Sequence, residues 1–298
     1  MQRPVGAHAR TLPLVFLCVL LLFSGGCSRI VGHYTQPLFD NLTSSFMQQR
    51  DVVLAEQGTP AFLLILDGLI THSPNNANLL LAGAQAYSAY NTAFVAGHDP
   101  ERNKILADKA KDYAIRALSL HSRKFAAVQD ARHDEFVTCL PSFREKDVPF
   151  LFYAATSWAG WIMANSASWD AIAELPKVQS LIGRVIELDP TFYYGTPEAF
   201  MGALLTIRPP ALGGQPEIAR EHFERALVLG EGRFLPSYVM FANSYAKLVY
   251  DEDLFFSLLN TVLESPVDPE PDLILINTLA QRQAREAIQR ALDDEYFD

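Results

Sequence analysis

The sequence is poor in cysteine and contains little glycine for its length. Three cysteines in 298 residues are too few for the disulfide scaffold that holds small secreted domains together. Sixteen glycines and eighteen prolines exclude a collagen-like or low-complexity chain, and an aromatic content of 11% argues against disorder. These shortages leave a globular chain that builds its own hydrophobic core.

Positive charge is also scarce. The chain has 24 lysines and arginines against 34 aspartates and glutamates, so its formal net charge at pH 7 is −10. An acidic surface repels the phosphate backbone of nucleic acids. We therefore predict that the protein has no nucleic-acid partner.

The motifs of common enzyme classes are absent as well. The sequence contains no phosphate-binding Gly-x-x-x-x-Gly-Lys-Ser/Thr loop, and His133 lacks the second histidine of a zinc-protease helix. Ser157 lacks the flanking glycines of a nucleophile elbow, and Cys139 has no nearby cysteine or histidine to activate its thiol. We predict that the protein is not an enzyme, that it holds no cofactor or metal, and that Cys139 is a small core residue.

Residues 1–26 have the layout of a secretory signal peptide. Two arginines precede the apolar run 12–23, which is shorter than the roughly 20 residues that a membrane-spanning helix needs. Small residues then lead to Cys27 in an arrangement that resembles a bacterial lipobox, although Ser24 stands where that motif prefers leucine. We predict that Cys27 is the lipidated first residue of the mature chain, the alternative being an ordinary signal peptide with a chance cysteine. We expect no later apolar run of membrane-spanning length.

The rest of the chain has a helical pattern. From about residue 59 apolar residues recur at steps of three and four, and clusters of proline, glycine, asparagine and aspartate interrupt them. Alternating β-branched runs that would indicate strands are absent. The pattern predicts an all-α domain of about a dozen helices over residues 59–298, preceded by a lipidated segment over 27–58.

Helical pairs with small residues at their contacts recur in this domain. The pattern Ala-x3-Phe-x2-Ala-Leu at residues 219–227 is the second-helix signature of a tetratricopeptide repeat, and residues 110–118 are a weaker copy. The copies are unevenly spaced, which predicts an irregular tetratricopeptide-like stack of helical hairpins rather than a regular open superhelix. A generic helical bundle is the alternative.

An insertion over residues 205–216 interrupts one of these pairs. It carries Gly213 and Gly214, which we expect to close a loop that needs unusual backbone angles. Pro216 then fits the first position of the following helix. The two glycines are therefore predicted to be structural.

Aromatic and amide side chains are the candidate ligand contacts. Trp158 and Trp161 are three residues apart and hence on one side of a helix, with Asn165 one turn further along. Such residues can line an apolar groove in which a few amides orient a ligand, or they can simply fill the core. The predicted groove residues are Trp158, Trp161, Asn165, Tyr194, Phe200, Met201, Asn243 and Asn277.

Several segments, taken in order, resemble one known family. The chain resembles the T component of tripartite ATP-independent periplasmic (TRAP) transporters over roughly residues 60–292. The tryptophan-bearing stretch 149–162 and the last helix, from residue 277, are similar to that family. The most specific segments are Leu-Asp-Pro at 188–190, Tyr-Tyr-Gly at 193–195, Leu-Gly-Gly at 212–214 and the repeat signature at 219–227.

The resemblance implies a periplasmic lipoprotein held at a membrane, the inner membrane being favoured. It further implies binding to the transporter's solute-binding protein, a homo-oligomer with a trimer favoured, and a cleft or pore suited to an apolar or amphipathic organic ligand. Without the resemblance, the residues themselves indicate only an anchored, acidic, all-α binding protein. An envelope scaffold that docks proteins and binds no small molecule is the alternative.

Overall fold

The computed structural model describes residues 44–297. The predicted signal peptide, the lipidation site Cys27 and the chain as far as residue 43 lie outside the described residues. Residues 44–47 form a turn of helix, and the chain from Gln49 onward is one compact unit. Every regular element in the described part is helical, which confirms the all-α prediction.

Helix starts follow the local sequence. The side chains of Asp51, Asn76 and Asp99 accept hydrogen bonds from backbone N–H groups in the first turns of three helices, and Pro100 is the first residue of the third. Thirteen α-helices lie in the described residues. They are α1 (Val52–His72), α2 (Ala77–Phe94), α3 (Pro100–His121), α4 (Arg123–Val128), α5 (His133–Phe136), α6 (Val148–Ala164), α7 (Trp169–Ala173), α8 (Leu175–Leu188), α9 (Phe192–Thr206), α10 (Pro216–Gly230), α11 (Pro236–Phe241), α12 (Glu252–Glu264) and α13 (Ile274–Asp293).

The long helices pack as consecutive hairpins. Helix α2 packs with α3, α6 with α8, α9 with α10, and α11 with α12 through the π-helical turn Ala242–Ala246. The small residues of the repeat signatures lie at these contacts, since Ala114 and Ala117 of α3 and Ala219 and Ala226 of α10 are buried. The small alanine side chains allow the paired helices to approach closely.

Two hydrophobic cores run through the stack and meet at α9. The first extends from Leu63 to Leu204, and the second contains Ala199 and continues into α13. Gly202, also in α9, faces Phe223 so closely that an added Cβ would lie 2.8 Å from its ring. Helix α9 therefore joins the two halves of the molecule through tight packing on both of its sides.

The first and last helices of the stack are in contact. Helices α2, α6, α9, α11 and α13 touch in series, and α13 then packs against α1. Arg282 of α13 lies 3.6 Å from the Glu56 carboxylate of α1, donates to the Ala93 carbonyl at 3.0 Å, and stands over the ring of Phe94. These contacts close the series into a helical ring.

Helix α1 differs from two expectations. It begins at Val52 and runs through Pro60, so the predicted boundary at residue 59 falls inside it. The expectation that no later apolar run is long enough to span a membrane is wrong. By length and composition α1 is such a helix, with a window of mean hydropathy 1.4. It is this apolar because it has hydrophobic residues on two faces: Leu63 and Leu66 are buried in the body, whereas Leu64 and Ile65 are exposed.

Asp67 ties α1 to its two neighbours. Its carboxylate accepts hydrogen bonds from the hydroxyls of Tyr87 at 2.7 Å and Tyr113 at 2.8 Å, and it pairs with Lys109. Burial opposes ionisation, but the hydrogen bonds from Lys109 and the two tyrosines prevail and lower the pKa of Asp67. The one charge in the C-terminal half of α1 is thus turned toward the body and neutralised there.

The Leu-Gly-Gly loop uses its two glycines differently. Gly213 has a left-handed φ of 89°, whereas a Cβ added to Gly214 would lie 1.8 Å from the carbonyl oxygen of Arg208. Gly214 is therefore needed because the chain passes close to its own backbone, and Gly213 because of its backbone angle.

Candidate ligand site

The two predicted tryptophans face helix α3. Trp158 is 4% exposed and meets the ring of Phe136 edge-on, and the Trp161 indole N–H donates to Asp108 at 2.5 Å. The Lys111 ammonium of α3 stands 3.2 Å from the ring centroid of Trp161 and 5.2 Å from that of Trp158. This tryptophan pair joins α6 to α3 by packing and cation–π contacts.

The three predicted amides lie in different places. Asn165 ends α6 and donates to the Trp161 carbonyl at 2.9 Å, and Asn243 is exposed on the π-helical turn. Asn277 is fully buried, accepting from the Leu235 amide at 3.1 Å and donating to the Arg233 carbonyl at 2.9 Å. The hydrogen-bonding capacity of Asn277 is thus used to hold α13 against the loop before α11.

Tyr194 and Phe200 belong to a second aromatic group, which we call the aromatic seam. Met201, their neighbour, packs against the first core. The rings of the seam come from α6, α9 and the loop before α11 and form two contacting sets, one around Phe152 and one of Tyr193, Tyr194 and Phe234. Within each set the contacting ring centroids lie 5.2 to 6.2 Å apart. The seam consists of Phe152, Tyr153, Phe192, Tyr193, Tyr194, Phe200 and Phe234.

The structure therefore divides the predicted groove. The tryptophan pair contacts α3, while Tyr194 stacks on Phe234 with an interplanar angle of 7°. Phe200 meets Phe152 edge-on at 6.2 Å. The ligand roles assigned to the eight residues stay predictions.

The backbone at the start of α9 is strained. Tyr193, Tyr194 and Gly195 have φ angles of 45°, 61° and 75°, three left-handed residues in succession. Each such conformation costs a non-glycine residue about 1–2 kcal/mol. Gly195 cannot be replaced freely either, because an added Cβ would lie 2.6 Å from the Cβ of Leu229. Strain of this kind concentrates at functional sites.

Local sequence explains how this turn is set. The Asp189 carboxylate accepts hydrogen bonds from the Thr191 amide at 3.0 Å and hydroxyl at 2.7 Å, which fixes the turn after α8. The Tyr194 hydroxyl donates to Glu270, whose other oxygen lies 2.6 Å from Arg233. Hydrogen bonds to Asp189 before the strained tyrosines and to Glu270 from the Tyr194 side chain thus fix this turn.

Two tyrosines of the seam lie deep in the molecule but keep partial solvent exposure. Burial raises the pKa of Tyr153, opposed by a hydrogen bond from Gln85 of α2, and burial also raises the pKa of Tyr193, with Tyr153 adding to it. Both side chains are half-buried, and within the described residues the Tyr193 hydroxyl makes no hydrogen bond. The phenol groups of the seam are therefore neutral at pH 7 and half-buried.

Glu198 anchors α9 one turn beyond the strained residues. Its buried carboxylate lies 2.5 Å from Nδ1 of His222 and 3.3 Å from Nε of Arg225, both on α10. Burial opposes ionisation, but these partners lower the pKa of Glu198. The carboxylate is ionised at neutral pH and fixes α9 against α10.

Sequence reasoning missed Gln85, Tyr153 and Tyr193 as candidate contacts. Tyr193 stands out in the sequence only as the aromatic neighbour of Tyr194, and nothing in the local pattern around Gln85 or Tyr153 distinguishes them from core residues. Cys139, predicted to be a core residue, is buried with a free thiol whose pKa burial raises. No group of three or more metal-ligating side chains occurs among residues 44–297.

The surface depressions of the molecule lie elsewhere. One of about 480 Å³ is lined by Val249–Asp253, and one of about 550 Å³ by Ser73–Asn78. Each is formed by a single turn between helices and contains no residue of the aromatic seam. Neither has the apolar, multi-element lining of a ligand site.

The described part of the chain is an all-α stack of helical hairpins with a half-buried aromatic seam. The TRAP transporter T-component family matches residues 48–297, so the chain belongs to that family. Its members are accessory proteins of TRAP transport, associated with the membrane on its periplasmic side in bacteria. No curated protein sequence matches the chain.

Proposed function

We propose that this T component is a lipoprotein that binds the transporter's solute-binding protein and holds an amphipathic organic ligand at the aromatic seam. The observation that carries the ligand part is the pair Tyr153 and Tyr193. Both lie deep in the molecule, retain solvent exposure and stand beside strained backbone. Small-molecule sites combine an apolar lining with a few polar groups that fix orientation, and the seam has this composition.

The side chains in and around the aromatic seam favour a ligand whose head group is uncharged or accepts hydrogen bonds. The phenols are neutral donors, and the nearest acids are engaged or peripheral, with Glu270 paired to Arg233. The phenylalanines Phe152, Phe192 and Phe200 supply apolar area for an alkyl portion. Of the eight residues predicted from sequence, Tyr194 and Phe200 fall within this proposed site, while Trp158, Trp161, Asn165, Met201, Asn243 and Asn277 fall outside it.

Binding of a fluorescent fatty-acid analogue to two matched variants tests the ligand site. Tyr193→Phe removes a hydroxyl without a protein partner and should weaken binding about fivefold, the effect of one hydrogen bond. Tyr194→Phe removes a hydroxyl already bonded to Glu270 and should leave binding unchanged. Trp161→Ala should not change binding either. Loss of binding in Trp161→Ala alone would move the site to the tryptophan pair.

Sedimentation of the purified T component with its solute-binding protein tests the partner. A co-migrating species is expected, and the acidic charge of the chain predicts that the complex weakens as salt is added. No complex at tens of micromolar, together with no probe binding by the wild type, would favour the scaffold without a ligand.

The anchor and the oligomer are tested separately. Acylated protein should partition into the detergent phase, and Cys27→Ser should move it to the aqueous phase; unchanged partitioning would remove the lipoprotein proposal. Light scattering during size-exclusion chromatography measures the oligomer, for which a trimer is proposed. A monomer at all concentrations would contradict the oligomer without affecting the anchor.

A further inference from the structure

The outward face of α1 is mostly apolar and carries no aspartate, glutamate, lysine or arginine; the exposed His72 lies on it in the last turn. Val53, Leu54, Leu64 and Ile65 on this face are 56–70% exposed, and Gln57, Gly58, Ala61 and Gly68 between them are exposed too. At 100° per residue these positions fall on one side of the helix. The largest contiguous apolar patch of a protein surface is often functional, and this face is a candidate for such a role.

The two acids of α1 point away from this face. Glu56 pairs with Arg282 of α13, and Asp67 pairs with Lys109 and receives two tyrosine hydroxyls. The charges flanking the helix are therefore neutralised within the body. A surface that has no net charge can enter an apolar environment without exposing an unpaired ion to it.

The size of the face disfavours a protein partner. A helix of 21 residues is about 32 Å long, and a strip about 10 Å wide along it covers roughly 300 Å² in projection. A stable protein interface takes about 800 Å² from each partner. The strip by itself is smaller than such an interface, and it has the shape of an amphipathic helix that lies along a membrane.

The position of Cys27 in the sequence also favours a membrane as the partner of this face. Cys27 precedes the helix cap Asp51 by 24 residues, so a lipid on Cys27 enters the described body at the N-terminal end of α1. Of the described long helices, α1 is the one that this tether reaches first. Tethering raises the local concentration of the bilayer at the helix, so that weak apolar contact suffices for docking.

We propose that the outward face of α1 rests on the phospholipid bilayer that holds the lipid anchor. This inference rests on the proposed anchor at Cys27. Helix α1 does not cross the membrane, because its opposite face, including Leu66 and Ile70, is buried in the body. The contact fixes the orientation of the helical ring relative to the membrane.

Site-specific quenching tests the contact in the full lipoprotein. Single cysteines at Leu54→Cys and Leu64→Cys, with Val228→Cys on α10 as an equally exposed control, are labelled with bimane; Val228 is 76% exposed and Leu64 70%. The protein is bound to phosphatidylcholine vesicles containing a spin-labelled lipid. Quenching should be several-fold stronger at 54 and 64 than at 228 and insensitive to salt.

The outcomes separate this proposal from the anchor. Protein that floats with the vesicles but is quenched equally at positions 64 and 228 overturns the α1 contact and leaves the anchor standing. Protein that does not float overturns both. Protection of position 64 that rises with protein concentration in detergent, without lipid quenching, assigns the face to a second copy of the chain and also overturns the proposal.

Discussion

The tryptophan pair on α6 and the tyrosine pair at the start of α9 look alike in the sequence and differ in the structure. Trp158 and Trp161 sit on a regular helix, with the Lys111 ammonium 3.2 Å from the ring centroid of Trp161. Tyr193 and Tyr194 have φ angles of 45° and 61° and remain half-exposed. The tryptophans are held on a regular helix by packing and cation–π contacts, whereas the tyrosines hold a costly backbone conformation.

The difference teaches which signals indicate a site. Spacing on a helix tells which side chains share a face but not what lies opposite that face. The neighbour of Trp158 and Trp161 is α3, a packed helix, whereas Tyr193 packs against the rings of Tyr194 and Phe234 and is only half-buried. Strained backbone combined with retained exposure is the more specific indicator.

Truncation of Trp158 should produce the largest effect. Trp158→Ala removes a buried indole from the first core and should lower the free energy of unfolding by about 3–5 kcal/mol in urea denaturation. Binding of the fatty-acid analogue by the remaining folded protein should not change. Trp158→Phe, which keeps most of the packing, should cost less. A small stability loss with loss of probe binding would reverse the roles of the two aromatic groups.

A methyl group at Gly195 should be the next most damaging change. Gly195→Ala combines a φ of 75° with a Cβ 2.6 Å from Leu229 Cβ, and it should lower the free energy of unfolding by about 3 kcal/mol. Gly232 is the matched control, since its φ is 73° and an added Cβ meets nothing within 4 Å. Gly232→Ala should cost only about 1 kcal/mol. Equal losses in the two variants would show that α9 is not packed tightly at this turn.

Neutralising Glu198 should have a pH-dependent effect. The pKa of Glu198 is lower in the folded protein than in the unfolded chain, so the stabilisation is present above the unfolded pKa of about 4.3 and is lost as the pH falls through the folded pKa. Glu198→Gln should therefore cost about 2 kcal/mol at pH 7 and progressively less below about pH 4. Thermal unfolding at a series of pH values from about 3 to about 7 measures this difference, because this range spans the titration of a glutamate.

The control for that measurement is Glu217→Gln in the first turn of α10, where the side chain is exposed. Its stability should follow the wild type at every pH. A Glu198 variant whose loss of stability is independent of pH would mean that shape, not charge, holds α9 against α10.

The smallest effects are expected for removal of the Tyr194 and Tyr193 hydroxyls. The Tyr194 hydroxyl contributes one hydrogen bond to Glu270, so its removal should cost about 1 kcal/mol in the same urea denaturation. Tyr193→Phe removes no protein hydrogen bond and should cost less. If Tyr193→Phe proves the more destabilising of the two, its hydroxyl has a structural partner, and the ligand site must be sought elsewhere.

Sequence patterns predicted the packing better than the site. The alanines within 110–118 and 219–227 are buried at helix contacts as the repeat signature predicts, because helix packing depends on local periodicity. The use of Asn277 was not predictable, since its backbone partners Arg233 and Leu235 are more than 40 residues away. The left-handed angles of Tyr193 and Tyr194 were not predictable either, because tyrosine rarely adopts them.

Closure of the helical ring bears on the order in which the molecule assembles. Glu56 and Arg282 are brought together across 226 residues of chain, and the entropy lost on closing a loop grows with its length. Hairpins such as α2–α3 and α9–α10 close over short spans, so we expect them to form before the junction of α1 with α13, which closes over a much longer one. By the same reasoning it is the first place to open, and amide hydrogen exchange should be faster in α1 and α13 than in α6. The junction between the first and last helices is therefore the contact that we expect to open most readily.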